Sequence, residues 1–137
     1  MFIRDKLKGP CYIGSNSYVG NNSLIRNYSA IGPDSIVGYG SELKNCVLFG
    51  NNDVGRLSFV VDSVLGENVK SGSGLTTVNH TVDYSLITCK SNLDKIETGL
   101  SKLGAFIGDN VSIGARHTLG PGTIVESGKI FTDNITL

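Results

Sequence analysis

The chain has 137 residues, with twelve basic and twelve acidic side chains, so its formal net charge is zero. That length supports one domain with a real core and excludes two, while the balanced charge excludes a nucleic-acid-coating surface or an acidic tail. Eighteen glycines, abundant Ser and Asn, and no tryptophan are unusual for an ordinary globular core and fit a turn-rich, all-β chain.

The N-terminal stretch MFIRDKLKGP has no apolar h-region, and no apolar run approaches the length needed to cross a membrane. Cys11, Cys46 and Cys89 are odd in number, widely spaced and without a CxxC pair. The expectation is reduced thiols in a cytoplasmic protein, with no disulfide frame, no metal site, no membrane contact and no nucleic-acid partner.

From Ile13 onward a repeat takes over. Ile13, Val19, Ile25, Ile31, Val37 and Leu43 recur every six positions, and Gly14, Gly20, Gly32 and Gly38 follow four of them. Four residues after each of the first five apolar positions stand Ser17, Ser23, Ser29, Ser35 and Ser41. A second train runs Ile107, Ile113, Leu119, Val125, Phe131 and Leu137. This is the hexapeptide pattern of a parallel β-helix. The aliphatic side chain fills a narrow prism, and the small residue fits the corner where two walls converge. Asn16, Asn22 and Asn110 tolerate the left-handed backbone that a tight corner demands. Three hexads close an eighteen-residue coil, and coils stack at about 4.8 Å, the spacing of adjacent strands. An antiparallel sandwich also shows regular turns, but two uninterrupted trains at period six argue against it.

Between the trains the register slips. Leu48 and Phe49 compete for one inward place, and from about His80 to Lys102 the pattern vanishes. In a solenoid such an insertion becomes a loop thrown out from one corner, either an excursion without a role or a cover for a functional face.

Twice the glycine place holds a long cation, Arg26 and Lys44, eighteen residues apart. One coil separates them, so they stack on one wall about 5 Å apart, where like charges repel. A bound anion such as phosphate would relieve that repulsion, with Arg supplying a fork and Lys a point charge. The alternative is two solvated surface cations neutralised by Glu42.

The segments SELKNCVL, GRLSFVVDSVLGENVKSGSG, TTVNH and KLGAFIGDNVSIGARHTLGPGTIV carry a resemblance. From about Gly9 to Leu137 the chain resembles the left-handed hexapeptide-repeat acyltransferases. It is most similar to the C-terminal acetyltransferase half of bifunctional sugar-1-phosphate nucleotidylyltransferase/N-acetyltransferases, which make UDP-N-acetylglucosamine. The resemblance implies one left-handed β-helix over 1–137, a homotrimer, acetyl-CoA as acyl donor without a metal, and an amino-sugar phosphate as substrate. Nothing in the chain resembles the nucleotidylyltransferase half, so it is either an excised domain or one that stands alone. By the same resemblance Arg26 and Lys44 grip the sugar phosphate, Asn79 belongs to the amino-sugar site, Ala115 to the cofactor site, and Glu42 accompanies Lys44.

The departures bear on activity. The family's Gly-His-Leu-Thr/Ser-Tyr segment reads Gly55-Arg56-Leu57-Ser58-Phe59 here. The family histidine takes a proton as the amine attacks the thioester. A guanidinium has no lone pair for that proton, so Arg56 cannot replace it. Phe59 loses the tyrosine hydroxyl, Lys70 replaces an asparagine, and Ser85 stands where a lysine is expected. His80, beside Asn79, is the better substitute base of the two histidines, while His117 falls at the small corner place. For either histidine, packing or surface exposure is the competing role. Three functions follow: an impaired N-acetyltransferase for an amino-sugar 1-phosphate, a non-catalytic sugar-phosphate-binding and trimerisation module of a nucleotidylyltransferase, or a scaffold with no ligand.

Overall fold

The computed structural model describes residues 6–92, 94–134 and 136. Three short strands make each coil. The first contains β1 (Leu7–Lys8), β2 (Cys11–Ile13) and β3 (Tyr18–Val19). The second contains β4 (Leu24–Arg26), β5 (Ser29–Ile31) and β6 (Ile36–Val37), and the third β7 (Glu42–Lys44), β8 (Val47–Gly50) and β9 (Asp53–Val54). The fourth contains β10 (Phe59–Val61), β11 (Val64–Glu67) and β12 (Lys70–Ser71). The fifth begins with β13 (Thr76–Thr77), leaves the prism through β14 (Thr88–Ser91) and β15 (Asp94–Glu97), and returns with β16 (Phe106–Ile107) and β17 (Ser112–Ile113). A sixth contains β18 (Thr118–Leu119), β19 (Ile124–Val125) and β20 (Ile130–Phe131).

Corresponding strands pair in parallel to give three six-stranded walls. Wall A is β1-β4-β7-β10-β13-β18, wall B runs from β2 to β19, and wall C from β3 to β20. The aliphatic train lines the interior: Ile25, Ile31, Val37, Leu43, Val60 and Leu65 are all fully buried. Leu48 wins the contested inward place and Phe49 points outward. Coils of eighteen residues give way there to coils of seventeen, as Ile31 pairs with Leu48 rather than Phe49. At the far end Phe131 is exposed, and Leu137 lies outside the described residues.

The small corner residues hold coil to coil. Ser23 Oγ donates to the Gly38 carbonyl at 2.8 Å and accepts from Ser41 N–H at 3.3 Å. Ser41 repeats the pattern toward Gly55 and Ser58. A hydroxyl thus satisfies two backbone groups that the corner would otherwise bury unpaired. Cys46 takes the same kind of place, its N–H bound to Ser29 Oγ. Glycine follows the apolar residue on walls B and C because the next coil passes too close. A Cβ at Gly14 would lie 2.6 Å from Pro33 N, and one at Gly38 2.6 Å from Arg56 N. Asn16, Asn22 and Asn110 do adopt left-handed backbone, with φ of 56°, 56° and 55°.

The insertion is not the bare loop that its sequence suggests. β14 and β15 form an antiparallel hairpin, and Ile87 and Cys89 are buried. Its base is laced by Leu103 N–H to Asn79 O and Ile87 N–H to Leu100 O, both 2.8 Å. Its start packs on the last coil, where a Cβ at Gly122 would meet Ile87 Cγ2 at 2.8 Å. Beyond it the walls resume in register, Leu65 pairing with Ile107.

Candidate functional site

Wall A carries two rows of side chains beside the inward one. One runs Leu24, Glu42, Phe59, Thr76, Thr118, and the other runs outward through Lys8, Arg26 and Lys44 and ends on the buried Val61. Arg26 and Lys44 are therefore direct neighbours on adjacent strands, as their spacing requires. On wall A the place after the inward residue holds Lys8, Arg26, Lys44 and Val61 in the first four coils, and glycine returns there only at Gly120, after Leu119 in the sixth. Arg26 and Lys44 each end a three-residue strand with the side chain half-buried.

Glu42 serves Arg26, not Lys44. Arg26 Nη1 lies 3.1 Å from Glu42 Oε1, with 39% and 34% of the two side chains exposed. The pairing is diagonal, because Glu42 sits opposite Leu24 in the neighbouring strand. At that exposure it contributes less than about 1 kcal/mol and exchanges readily with another anion. Among the described residues, Lys44 has no carboxylate partner.

The remaining site residues fall into separate groups. Asn79, at the A–B corner, is half-buried, and its Nδ2 donates to Asp62 Oδ2 at 2.7 Å. Asn45 Nδ2 reaches the other oxygen of Asp62 at 2.9 Å. Asn45 and Asp62 turn this corner at φ of 52° and 48°, so Asp62 is a corner residue and Asn79 a rung of its ladder. His80 stacks on Tyr84 with ring centroids 4.4 Å apart. Its Nδ1–H donates to Thr81 O at 2.9 Å, leaving Nε2 as the acceptor. His117 contacts the Thr132 carbonyl through Nε2 and lies beside Phe131.

Arg56 is exposed at the opposite, C–A corner. Its carbonyl accepts from Gly74, that of Ser73 from Arg116, and that of Ala115 from Asn134, so Arg56, Ser73 and Ala115 stack in one corner column. A cleft of about 410 Å³ opens beside it, lined by Leu57, Ser73, Gly74, Arg116 and Thr118. The breadth of a wall, on the order of 10 Å, separates this corner from the cations within one chain. Ala115 N–H already donates to Asp133 Oδ1 at 2.6 Å. Both backbone groups of Ala115 are thus engaged within the chain. Phe59 is exposed on wall A between Glu42 and Thr76, whereas Lys70 lies on wall C beside Asp53 and Ser112. Among the described residues there is no cluster of His, Cys, Asp or Glu able to hold a metal, and no helix long and apolar enough to cross a membrane.

The family model of the GMPPB C-terminal domain matches residues 7–94. The chain belongs to this family. Within it, this GMPPB C-terminal-type domain is 35% identical over 101 residues to the bifunctional protein GlmU of Methanococcus vannielii, covering 74% of this chain and 24% of that protein. A bifunctional sugar-1-phosphate nucleotidylyltransferase/acetyltransferase of Sulfurisphaera tokodaii is 35% identical over 86 residues, 63% of this chain and 21% of that one. The domain thus spans about a quarter of the length of the curated relatives it matches. A hexapeptide transferase family protein from Anaplasma phagocytophilum superposes with a TM-score of 0.55 at 18% identity, over 93% of this chain and 78% of the other. The fold is the left-handed parallel β-helix, and the domain is a hexapeptide-repeat domain of the GlmU type.

Lys8 escaped the sequence reading. It stands ahead of the first recognised hexad, yet eighteen residues before Arg26, and that spacing was the available signal.

Proposed function

We propose that this domain holds an amino-sugar 1-phosphate on wall A and derives from an acetyl-CoA-dependent N-acetyltransferase whose acyl transfer is impaired. The observation that carries the proposal is the register of Arg26 on Lys44, two cations on adjacent rungs that, among the described residues, share one half-buried carboxylate, Glu42, bound to Arg26. A phosphoryl group bridges such a pair through charge-assisted hydrogen bonds and displaces Glu42 from Arg26. Relatives named for sugar-1-phosphate nucleotidylyl and acetyl transfer support this substrate class.

Acyl transfer requires that the attacking amine lose its proton. Arg56 cannot accept it, and removing a general base typically lowers a rate by about 10²–10⁴-fold. His80 Nε2 is the remaining acceptor near Asn79, held in a fixed ring orientation by Tyr84. The engaged backbone of Ala115 favours the second reading, a sugar-phosphate-binding module without turnover, joined to a nucleotidylyltransferase half in the full protein. Either form assembles as a homotrimer in a cytoplasmic setting.

Thermal melts with glucosamine 1-phosphate, galactosamine 1-phosphate, acetyl-CoA and free CoA test the proposal, since a ligand bound only by the folded state raises the melting temperature. Stabilisation by a sugar 1-phosphate, lost in Arg26→Ala, is the expected outcome. An unchanged affinity in Arg26→Ala rules out the anion site. Light scattering after gel filtration decides between trimer and monomer.

A further inference from the structure

Wall A carries a third cation that the sugar-phosphate reading does not use. Lys8 in β1 pairs with Arg26, and Arg26 pairs with Lys44. The three long cations occupy consecutive rungs of one outward row, about 4.8 Å apart and roughly 10 Å from end to end. Among the described residues one carboxylate, Glu42, answers this row, and it is bound to the middle member. Among the described residues neither Lys8 nor Lys44 has an ion-pair partner. On one side the row closes at its fourth rung, the buried Val61.

We propose that this row is a diphosphate site, in which Lys8 and Arg26 clasp one phosphoryl group and Arg26 and Lys44 the other. The inference rests on the sugar-phosphate reading and deepens it: the preferred ligand carries two linked phosphoryl groups, as in a sugar nucleotide, and not one. A monophosphate satisfies two rungs and leaves the third cation facing its neighbour uncompensated. A diphosphate spans the row and neutralises all three. The central guanidinium suits this role, since its planar fork can donate to oxygens on two centres while the lysines at either end act as point charges. The zero net charge of the chain argues against a polyanionic backbone as the occupant. A lysine on an edge strand also discourages strand addition. That duty does not require alignment with two cations on interior strands.

Titration calorimetry of the whole chain with inorganic phosphate and inorganic pyrophosphate, at low and at moderate salt, tests the assignment. Wild type should bind pyrophosphate about tenfold or more tightly than phosphate, with the steeper salt dependence. Lys8→Ala should weaken pyrophosphate about tenfold while changing phosphate less than about twofold, and Lys8→Arg should restore the preference. Lys8 is exposed, so its replacement leaves the core intact. If Lys8→Ala leaves pyrophosphate binding unchanged, or weakens both anions equally, the diphosphate assignment fails. If Arg26→Ala still abolishes phosphate binding in that case, the sugar-phosphate reading survives alone. Absence of binding by either anion to wild type removes both.

Discussion

Position 56 concentrates the question of turnover in one side chain. Arg56 lies at an exposed corner where a histidine would meet no obstruction. With acetyl-CoA and glucosamine 1-phosphate, wild type should release CoA slowly or undetectably, and Arg56→His should raise the rate by ten-fold or more. Thiol release followed with a disulfide dye measures both, and brisk wild-type turnover would refute the impairment. Cys46 offers a prediction about pH. Burial pushes its thiol from 9.0 to about 12, against smaller opposing contributions from backbone hydrogen bonds at Ser63 and Lys44. The folded state therefore keeps a proton that the unfolded chain loses above pH 9, so this contribution to stability is complete below pH 9 and declines between 9 and 12. Its slope is about 1.4 kcal/mol per pH unit. Urea titrations at pH 8 and pH 10.5 should show wild type losing roughly 2 kcal/mol more than Cys46→Ala over that interval. Much at this scale was legible in advance. The pairing of Arg26 with Lys44 follows from a separation of one coil, and the buried serines follow from their place four after each aliphatic residue. The partner of Glu42 was not legible, because diagonal pairing depends on side-chain reach and not on period.

At the scale of elements, the hexads declare themselves because each strand is too short to be anything but one wall of a coil. The slip at Leu48 was harder to read. Leu48 and Phe49 are both apolar, and a five-residue step is settled only when the branched side chain fits the prism and the ring is left outside. The hairpin of β14 and β15 was harder still. Its strands hold Lys90, Asp94, Lys95 and Glu97, all exposed, so alternation barely shows, and its anchoring side chains Ile87 and Cys89 are buried against residues far along the chain. Gly122 is the receiving surface. It has φ of +75°, and a Cβ there would press on Ile87, Thr88 and Cys89. Gly122→Ala should cost about 1–3 kcal/mol, from left-handed backbone and overpacking together. Limited proteolysis should then cut the hairpin before the solenoid. Equal protection of hairpin and coils in the variant would show that this packing does not hold the insertion.

Across the whole molecule, each coil touches only the coils above and below it, so stability is a sum of neighbouring interfaces. Damage should therefore depend on height along the axis. Leu43, fully buried in a middle coil, should cost about 2–5 kcal/mol when cut to alanine. Leu119, half-buried in the last described coil, should cost roughly 1 kcal/mol. Chemical denaturation of the two variants measures the contrast, and equal losses would mean that the coils do not behave as a stack. The same architecture explains why the architecture was readable and the chemistry was not. Periodicity reports which residues share a wall, whereas a site between walls or between chains has no period. The excursion through the hairpin has one further consequence. Because the chain leaves at one corner and comes back to the same rung, that corner acts as a splice port: foreign peptides of comparable length, spliced in there with their ends held together, should ride on the prism as passengers while the shaft beneath keeps its stacking.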